Sequence, residues 1–238
     1  MTITEEIQHW KKKRNAVILA HYYVSEAVQE LADYVGDSFY LSKIAVGLKE
    51  TTIVFCGVSF MGESAKILNP HKTVLMPDAT ADCAMAHMAT PETIQAMREK
   101  YEDLAFVCYI NSTAELKRHS DVCVTSANAV QIVRSLPNHH IFFIPDRNLA
   151  RFVAQQVPEK HIVLNEGYCP IHEQIALQEV QDLKRPILLQ KFWYILNVRR
   201  PFATWLIIPE APPVSLPMQP RMLPKNSLSA PKSAWIMN

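Results

Sequence analysis

The sequence predicts an α/β fold with parallel strands. Three observations carry that prediction: short apolar runs alternate with amphipathic stretches of helical period, a helix-start signal falls between two of them, and the pattern recurs as a weak internal duplication.

Taken in order, the apolar run Ala16–Ala20 is the first predicted strand, followed by helices near Glu26–Tyr34 and Phe39–Leu48. Ile53–Cys56 is the next strand, Met61–Leu68 its helix, and Thr73–Met76 a further strand. Thr90-Pro91-Glu92-Thr93 places a capping residue before a proline, so a helix over Pro91–Tyr101 is expected. Strands at Leu104–Tyr109, Val122–Val124, His140–Ile144 and His161–Leu164 then alternate with helices near Ser112–His119, Ser126–Leu136 and Arg147–Gln156.

At 238 residues and 49% hydrophobic composition, the chain can bury a substantial core. Its 24 basic and 23 acidic residues leave a net charge of +1, which gives no electrostatic footprint for nucleic acid or an anionic membrane. The start, MTITEEIQHWKKKR, lacks the apolar stretch of a secretory signal, and no later run reaches a membrane span, so a cytoplasmic protein acting on small molecules is expected. In that compartment Cys56, Cys83, Cys108, Cys123 and Cys169 read as thiols or metal ligands rather than a disulfide framework. Composition breaks near residue 185. All five glycines lie between Gly36 and Gly167, whereas nine of sixteen prolines and three of four tryptophans lie from residue 185 onward, where Glu210 is the single acid against seven Lys and Arg.

The duplication runs as follows. One copy has a strand ending in Leu19-Ala20-His21-Tyr22-Tyr23, a helix, then Asp33-Tyr34-Val35-Gly36-Asp37-Ser38 opening a second helix. The other has a strand ending in Val107-Cys108-Tyr109-Ile110-Asn111-Ser112, a helix, then Asp121-Val122-Cys123-Val124-Thr125-Ser126. Open α/β sheets bind ligands at the carboxyl ends of their strands, and helix amino termini attract phosphates and carboxylates. Each copy therefore offers half of an anion site.

His21 and Tyr23 lie two apart at a strand exit, so both project to one side and suit acid–base work; a buried His and an aromatic that cap the sheet would look the same. Ser38, Thr125 and Ser126 are ordinary N-cap types, and Tyr109 and Asn111, which repeat the two-apart geometry, could be turn formers. Cys56, Cys108 and Cys123 sit inside apolar strands, where a small buried hydrophobe suffices, while Cys83 and Cys169 sit in loops and are better ligand candidates. Glu63 and Lys66, at i and i+3 of a helix, read as a solvated ion pair. No Walker loop, GxGxxG, GxSxG or HExxH is present.

An ordered set of segments over residues 15–180 resembles quinolinate synthase: AHYY at 20–23, GDSFYLS at 36–42, FCGVSFMGESAKIL at 55–68, MPDATADCAMA at 76–86, YINS at 109–112, VTSANA at 124–129, IPDRNLARFV at 144–153 and GYCPIHE at 167–173. The resemblance implies repeated three-layer α/β domains with parallel sheets in a pseudo-threefold arrangement, with residues 1–88 as the first, 89–171 as the second, and 172–238 as a remnant of an incomplete third with an aberrant tail. It implies condensation of iminoaspartate with dihydroxyacetone phosphate to quinolinate in NAD biosynthesis, with L-aspartate oxidase as functional partner. It also implies a [4Fe-4S] cluster held by three cysteines, of which Cys83 and Cys169 match two. His21, Ser38, Tyr109, Asn111 and Ser126 match substrate-contacting positions, and Tyr23, with His21, matches the ring-forming chemistry.

The family continues with a His-Pro-Glu strand, a Gly-Ser-Thr-Ser-Gly turn and a third cluster cysteine. None of these appears here, and no cysteine follows Cys169. Read one base out of frame, Phe192 through Val198 permits Leu-Val-His-Pro-Glu-Cys, Thr204 through Val214 permits a stretch ending Gly-Ser-Thr-Ser-Gly, and Met218 through Leu223 permits Ala-Thr-Ala-Asn-Ala. A one-base shift between about Leu177 and Gln190 is therefore expected, with a poorly packing tail and impaired activity. The alternative is an inactive pseudo-enzyme that only binds dicarboxylate or phosphate ligands.

Overall fold

A computed structural model describes residues 1–176 together with Gln178 and Asp182. It contains two four-stranded, all-parallel sheets built the same way. The expectations for the third repeat and the tail lie outside the described residues.

The first sheet has β1 (Ala16–His21), β2 (Tyr34–Gly36), β3 (Thr52–Cys56) and β4 (Thr73–Leu75) in the order β2-β1-β3-β4. Helices α1 (Ile3–Lys13), α2 (Glu26–Gln29), α3 (Ser38–Gly47) and α4 (Ser59–Leu68) connect or flank them. The second sheet has β5 (Leu104–Tyr109), β6 (Val122–Val124), β7 (His140–Ile144) and β8 (His161–Leu164) in the order β6-β5-β7-β8. Around it lie η1 (Ala84–His87), α5 (Pro91–Lys100), α6 (Ala114–Arg118), α7 (Ala129–Ser135), α8 (Arg147–Gln156) and α9 (Pro170–Glu173). Every residue of β5 is buried, as befits a central strand covered on both faces.

The two sheets match residue for residue at an offset of 88. Ala16 pairs with Thr52 as Leu104 pairs with His140, and Leu19 pairs with Tyr34 as Val107 pairs with Val122. Side chains repeat the correspondence. Asp33 accepts the Ile18 amide at 2.8 Å and pairs with Lys11 at 2.7 Å; Asp121 accepts the Phe106 amide at 2.7 Å and pairs with Arg98 at 3.2 Å. Lys72 donates to the carbonyls of Ala45 and Leu48, and Lys160 to those of Leu136 and Asn138. This offset makes Tyr109 the equivalent of His21, Asn111 of Tyr23, and Ser126 of Ser38.

Differences from the predicted elements have local causes. Helix α1 was not anticipated, although Thr2 and Glu5 form a reciprocal capping box at 3.2 and 2.7 Å. The predicted helix over Glu26–Tyr34 stops at Gln29 because Tyr34 enters β2, where it lies in register with Leu19. Helix α7 starts at Ala129 rather than Ser126, since the Asn128 side chain accepts from the amide and hydroxyl of Thr125 and closes a turn first. Thr90 caps α5 as expected, with Pro91 in the first turn.

Glu63 and Lys66 do not form the expected pair. Glu63 Oε2 accepts the Ala114 amide at 2.7 Å, satisfying a free donor at the start of α6, and Lys66 donates to the carbonyls of Pro70 and Lys72. Lys117 on α6 donates to Ser64 Oγ at 2.7 Å and to the Phe60 carbonyl at 3.3 Å. Helices α4 and α6 thus join the two sheet units through bonds whose acceptors and donors lie on opposite units.

Candidate functional site

The site forms where the strands of both sheets end. His21 is the last residue of β1 and is 4% exposed, while Tyr23, two residues on, is 65% exposed. Their ring centroids lie 4.3 Å apart. His21 Nδ1 accepts the Tyr23 amide at 3.2 Å, which places the ring proton on Nε2. Burial drives the His21 pKa down to about 4 against the opposing pull of Asp37, so the imidazole is neutral at physiological pH and Nε2 is a donor.

Tyr109 ends β5 at the position equivalent to His21 and is 9% exposed. Burial first, then the nearby Asp146, Tyr23, Cys169 and Cys83, hold its phenol far above the usual range, so it stays protonated. Tyr23 is pushed upward too, by partial desolvation, then by Cys169, Cys83 and Asp37, with solvent around the exposed ring keeping the effect modest. Tyr23 and Tyr109 thus both feel the charge of Cys83 and of Cys169. Cys83 and Cys169 also pack against the same apolar cluster, which includes Tyr109, Val124 and Met85.

The two thiols are built alike. Cys83 is the N-cap of η1 and Cys169 the N-cap of α9. Burial raises both pKa values; amides of Ala86 and Met85 oppose this at Cys83, and those of His172 and Ile171 oppose it at Cys169. Neither sulfur makes a capping hydrogen bond, but each sits at the start of a helical turn whose amides favour a charged sulfur. Cys83 is fixed by Asp82, whose carboxylate accepts from the Ser59 hydroxyl at 2.6 Å and the Cys83 amide at 2.7 Å and meets His87 at 2.7 Å.

The loop carrying Cys169 is held more elaborately. Arg147 donates to the Glu166 carbonyl at 3.2 Å and to Glu173 at 2.9 Å, and its guanidinium lies 4.5 Å from the Tyr168 ring centre. Asn165 donates to the carbonyls of Met88 and Pro145, and the Arg147 amide to that of Gly167 at 2.8 Å. A Cβ on Gly167 would collide with the Pro145 carbonyl and come within 2.8 Å of the Met88 side chain, so the close approach requires glycine. Sequence reading missed Arg147, Asn165 and Asp146. Their signal was present in the PDRN and NEG segments, but no local pattern says that they bond each other.

Ser38 is the first residue of α3, behind an N-cap supplied by Asp37, which accepts the Tyr40 amide at 2.8 Å. Ser126 follows the Thr125 turn after β6, and Asn111 follows β5. All three lie at carboxyl ends of strands. The other thiols are placed differently: Cys56 ends β3, Cys108 is buried with Phe106 and Phe142 in a separate cluster, and Cys123 is exposed on β6. Among the described residues no three His, Cys, Asp or Glu side chains are gathered to hold a metal ion. Cys83 and Cys169 are thus not joined by further such side chains into a metal-holding group among the described residues.

Comparison with known proteins shows the family of the chain. A model of the family described as quinolinate synthetase A protein matches residues 5–191. A quinolinate synthase from Fusobacterium nucleatum is 57% identical over 180 residues, covering 76% of this chain and 60% of that protein. One from Caldicellulosiruptor saccharolyticus is 53% identical over 182 residues, with the same coverage of 76% and 60%. Quinolinate synthase 2 of Methanosarcina acetivorans is 50% identical over 182 residues, covering 76% and 58%. The chain thus spans about 60% of the length of these relatives. With both repeats and both loop cysteines inside the matched segment, the chain belongs to the quinolinate synthetase A protein family.

Proposed function

We propose that the chain carries the first two repeats of a quinolinate synthase, with domains at residues 1–88 and 89–171. Its family reaction condenses iminoaspartate with dihydroxyacetone phosphate in NAD biosynthesis, in a cytoplasmic setting with L-aspartate oxidase as the source of the imine. The observation that supports this reading is that Tyr23 and Tyr109, which follow or end the equivalent strands β1 and β5, both feel the loop cysteines Cys83 and Cys169.

The roles follow from chemistry. His21 Nε2–H and the protonated Tyr109 hydroxyl donate to substrate oxygens, and Asn111, Ser38 and Ser126 add amide and hydroxyl donors of the kind that a dicarboxylate and a phosphate need. Neutral His21 is a weak base, so proton delivery in ring formation falls to Tyr23 beside it. Cys83 and Cys169 would supply two ligands of a [4Fe-4S] cluster, whose open iron provides Lewis acidity in the family. No cysteine follows Cys169 in this sequence, so the two loop thiols would hold such a cluster without the family's third sulfur.

That donor count favours a second reading, an inactive relative produced by a one-base shift between about Leu177 and Gln190, which still binds dicarboxylate or phosphate. Relatives matching only 76% of the chain support the shift. Anaerobic iron and sulfide reconstitution followed by a quinolinate assay separates the two. Product formation supports the enzyme, and citrate or phosphate binding without product supports the binder. Neither activity nor binding overturns both, and an uninterrupted reading frame in genomic DNA ends the shift.

A further inference from the structure

The second repeat carries a pair of thiols that the proposed reaction does not use. Cys108 on β5 and Cys123 on β6 are direct register partners in adjacent parallel strands. Their side chains therefore share a face of the sheet, at a backbone spacing of about 4.8 Å, inside the roughly 4.4–6.8 Å range that a disulfide spans. This is the face away from the site: Cys108 packs with Phe106, Leu116, Phe142 and Ile144, whereas Cys83 and Cys169 pack on the opposite cluster.

Packing does not explain the pair. The equivalent positions of the first repeat, also in register, are Ala20 and Val35. Small apolar side chains meet the structural need there. Access is asymmetric, since Cys108 is wholly buried and Cys123 is exposed on an edge strand of three residues, which can shift to close a bond.

We propose that Cys108 and Cys123 form an oxidisable dithiol, a modification site that a low-molecular-weight disulfide converts to an intramolecular cross-strand disulfide. With Cys108 as the thiolate, the proton of the neighbouring Cys123 thiol passes to it, the Cys123 sulfur attacks the reagent, and one reagent thiolate departs. Cys108 then gives its proton through solvent to the departed thiolate and attacks the Cys123 sulfur of the mixed disulfide, expelling the second thiolate, which takes up a proton from solvent. Two protein thiols are oxidised by two electrons, and one reagent disulfide becomes two thiols. The electrostatics suit the second step: the neighbouring Cys123 thiol, with Ser112, Ser120 and the Lys117 ammonium close by, lowers Cys108 to about 7 against its burial. The same coupling drives Cys123 upward, so the pair gives up one proton readily and the second reluctantly. A bond made between adjacent parallel strands is strained and hence reversible.

The test uses the full chain, treated anaerobically with oxidised glutathione, denatured, blocked with N-ethylmaleimide and digested with trypsin. Cys108 and Cys123 fall in separate peptides, 101–117 and 119–134. The expected result is a disulfide-linked pair of these peptides, with maleimide labelling lost at both cysteines together and restored by dithiothreitol. In Cys123→Ser, the buried Cys108 should keep its label under the same treatment. Full labelling of both cysteines, a stable glutathione adduct on Cys123 with Cys108 labelled, or bonds from either to any other cysteine would overturn the proposal.

Discussion

Asp121→Ala tests the way each repeat is anchored. The Asp121 carboxylate accepts the Phe106 amide at 2.7 Å within a strand whose residues are all buried, and it also meets Arg98 at 3.2 Å. Removing it leaves the Phe106 amide without its acceptor, which costs about 1–3 kcal/mol. The Arg98 pair is roughly 40% exposed on both sides and adds at most about 1 kcal/mol. A total near 2–3 kcal/mol lowers the melting temperature by roughly 4–12 °C for a chain of this length. Calorimetry of Asp121→Ala, Asp121→Asn and Arg98→Ala separates the contributions. Arg98→Ala should cost under about 1 kcal/mol, and Asp121→Asn should recover part of the loss because its amide oxygen can still accept. Equal losses for Asp121→Ala and Arg98→Ala would refute the claim that the backbone bond dominates.

Further outcomes follow from the same geometry. His21 titrates at about 4 when folded against about 6.5 unfolded, so the unfolded chain binds more protons between those values, and stability should fall as pH drops through that window by up to about 3 kcal/mol; pH-dependent denaturation in which His21→Leu keeps the same acid slope would contradict this. Glu63→Ala should cost about 1–2 kcal/mol by leaving the Ala114 amide unpaired, with Glu63→Gln recovering most of it; urea melts that instead show coupling between Glu63 and Lys66 would restore the ion-pair reading. Gly167→Ala should destabilise by about 1–3 kcal/mol and speed alkylation of Cys169, because the Pro145 carbonyl cannot yield to a Cβ; unchanged stability and labelling would remove the close-approach argument.

The strands were legible because their apolar runs are uninterrupted: Leu104–Tyr109, Val122–Val124, His140–Ile144 and His161–Leu164 form as read. Strand β2 was hidden, because Tyr34 reads as the end of the helical stretch before it and the segment gains its structure from pairing with β1. The duplication was visible in the two-apart spacing of His21 with Tyr23 and Tyr109 with Asn111, and Asp33 with Asp121 and Lys72 with Lys160, each bonded alike in the two units, give the constant offset. Of the site, the strand-end residues and loop cysteines could be named from sequence. The Arg147 clamp and the Glu63 bond to α6 could not, because both join residues far apart in the chain.

The decisive measurement concerns two sulfurs. With Cys56, Cys108 and Cys123 replaced by Ser, the chain is treated with a short homobifunctional methanethiosulfonate, and its tryptic peptides are mapped. One reagent bridging Cys83 to Cys169 within single molecules is the predicted product. Separate single adducts on each cysteine, at every reagent ratio, would mean that the two thiols do not face a common site.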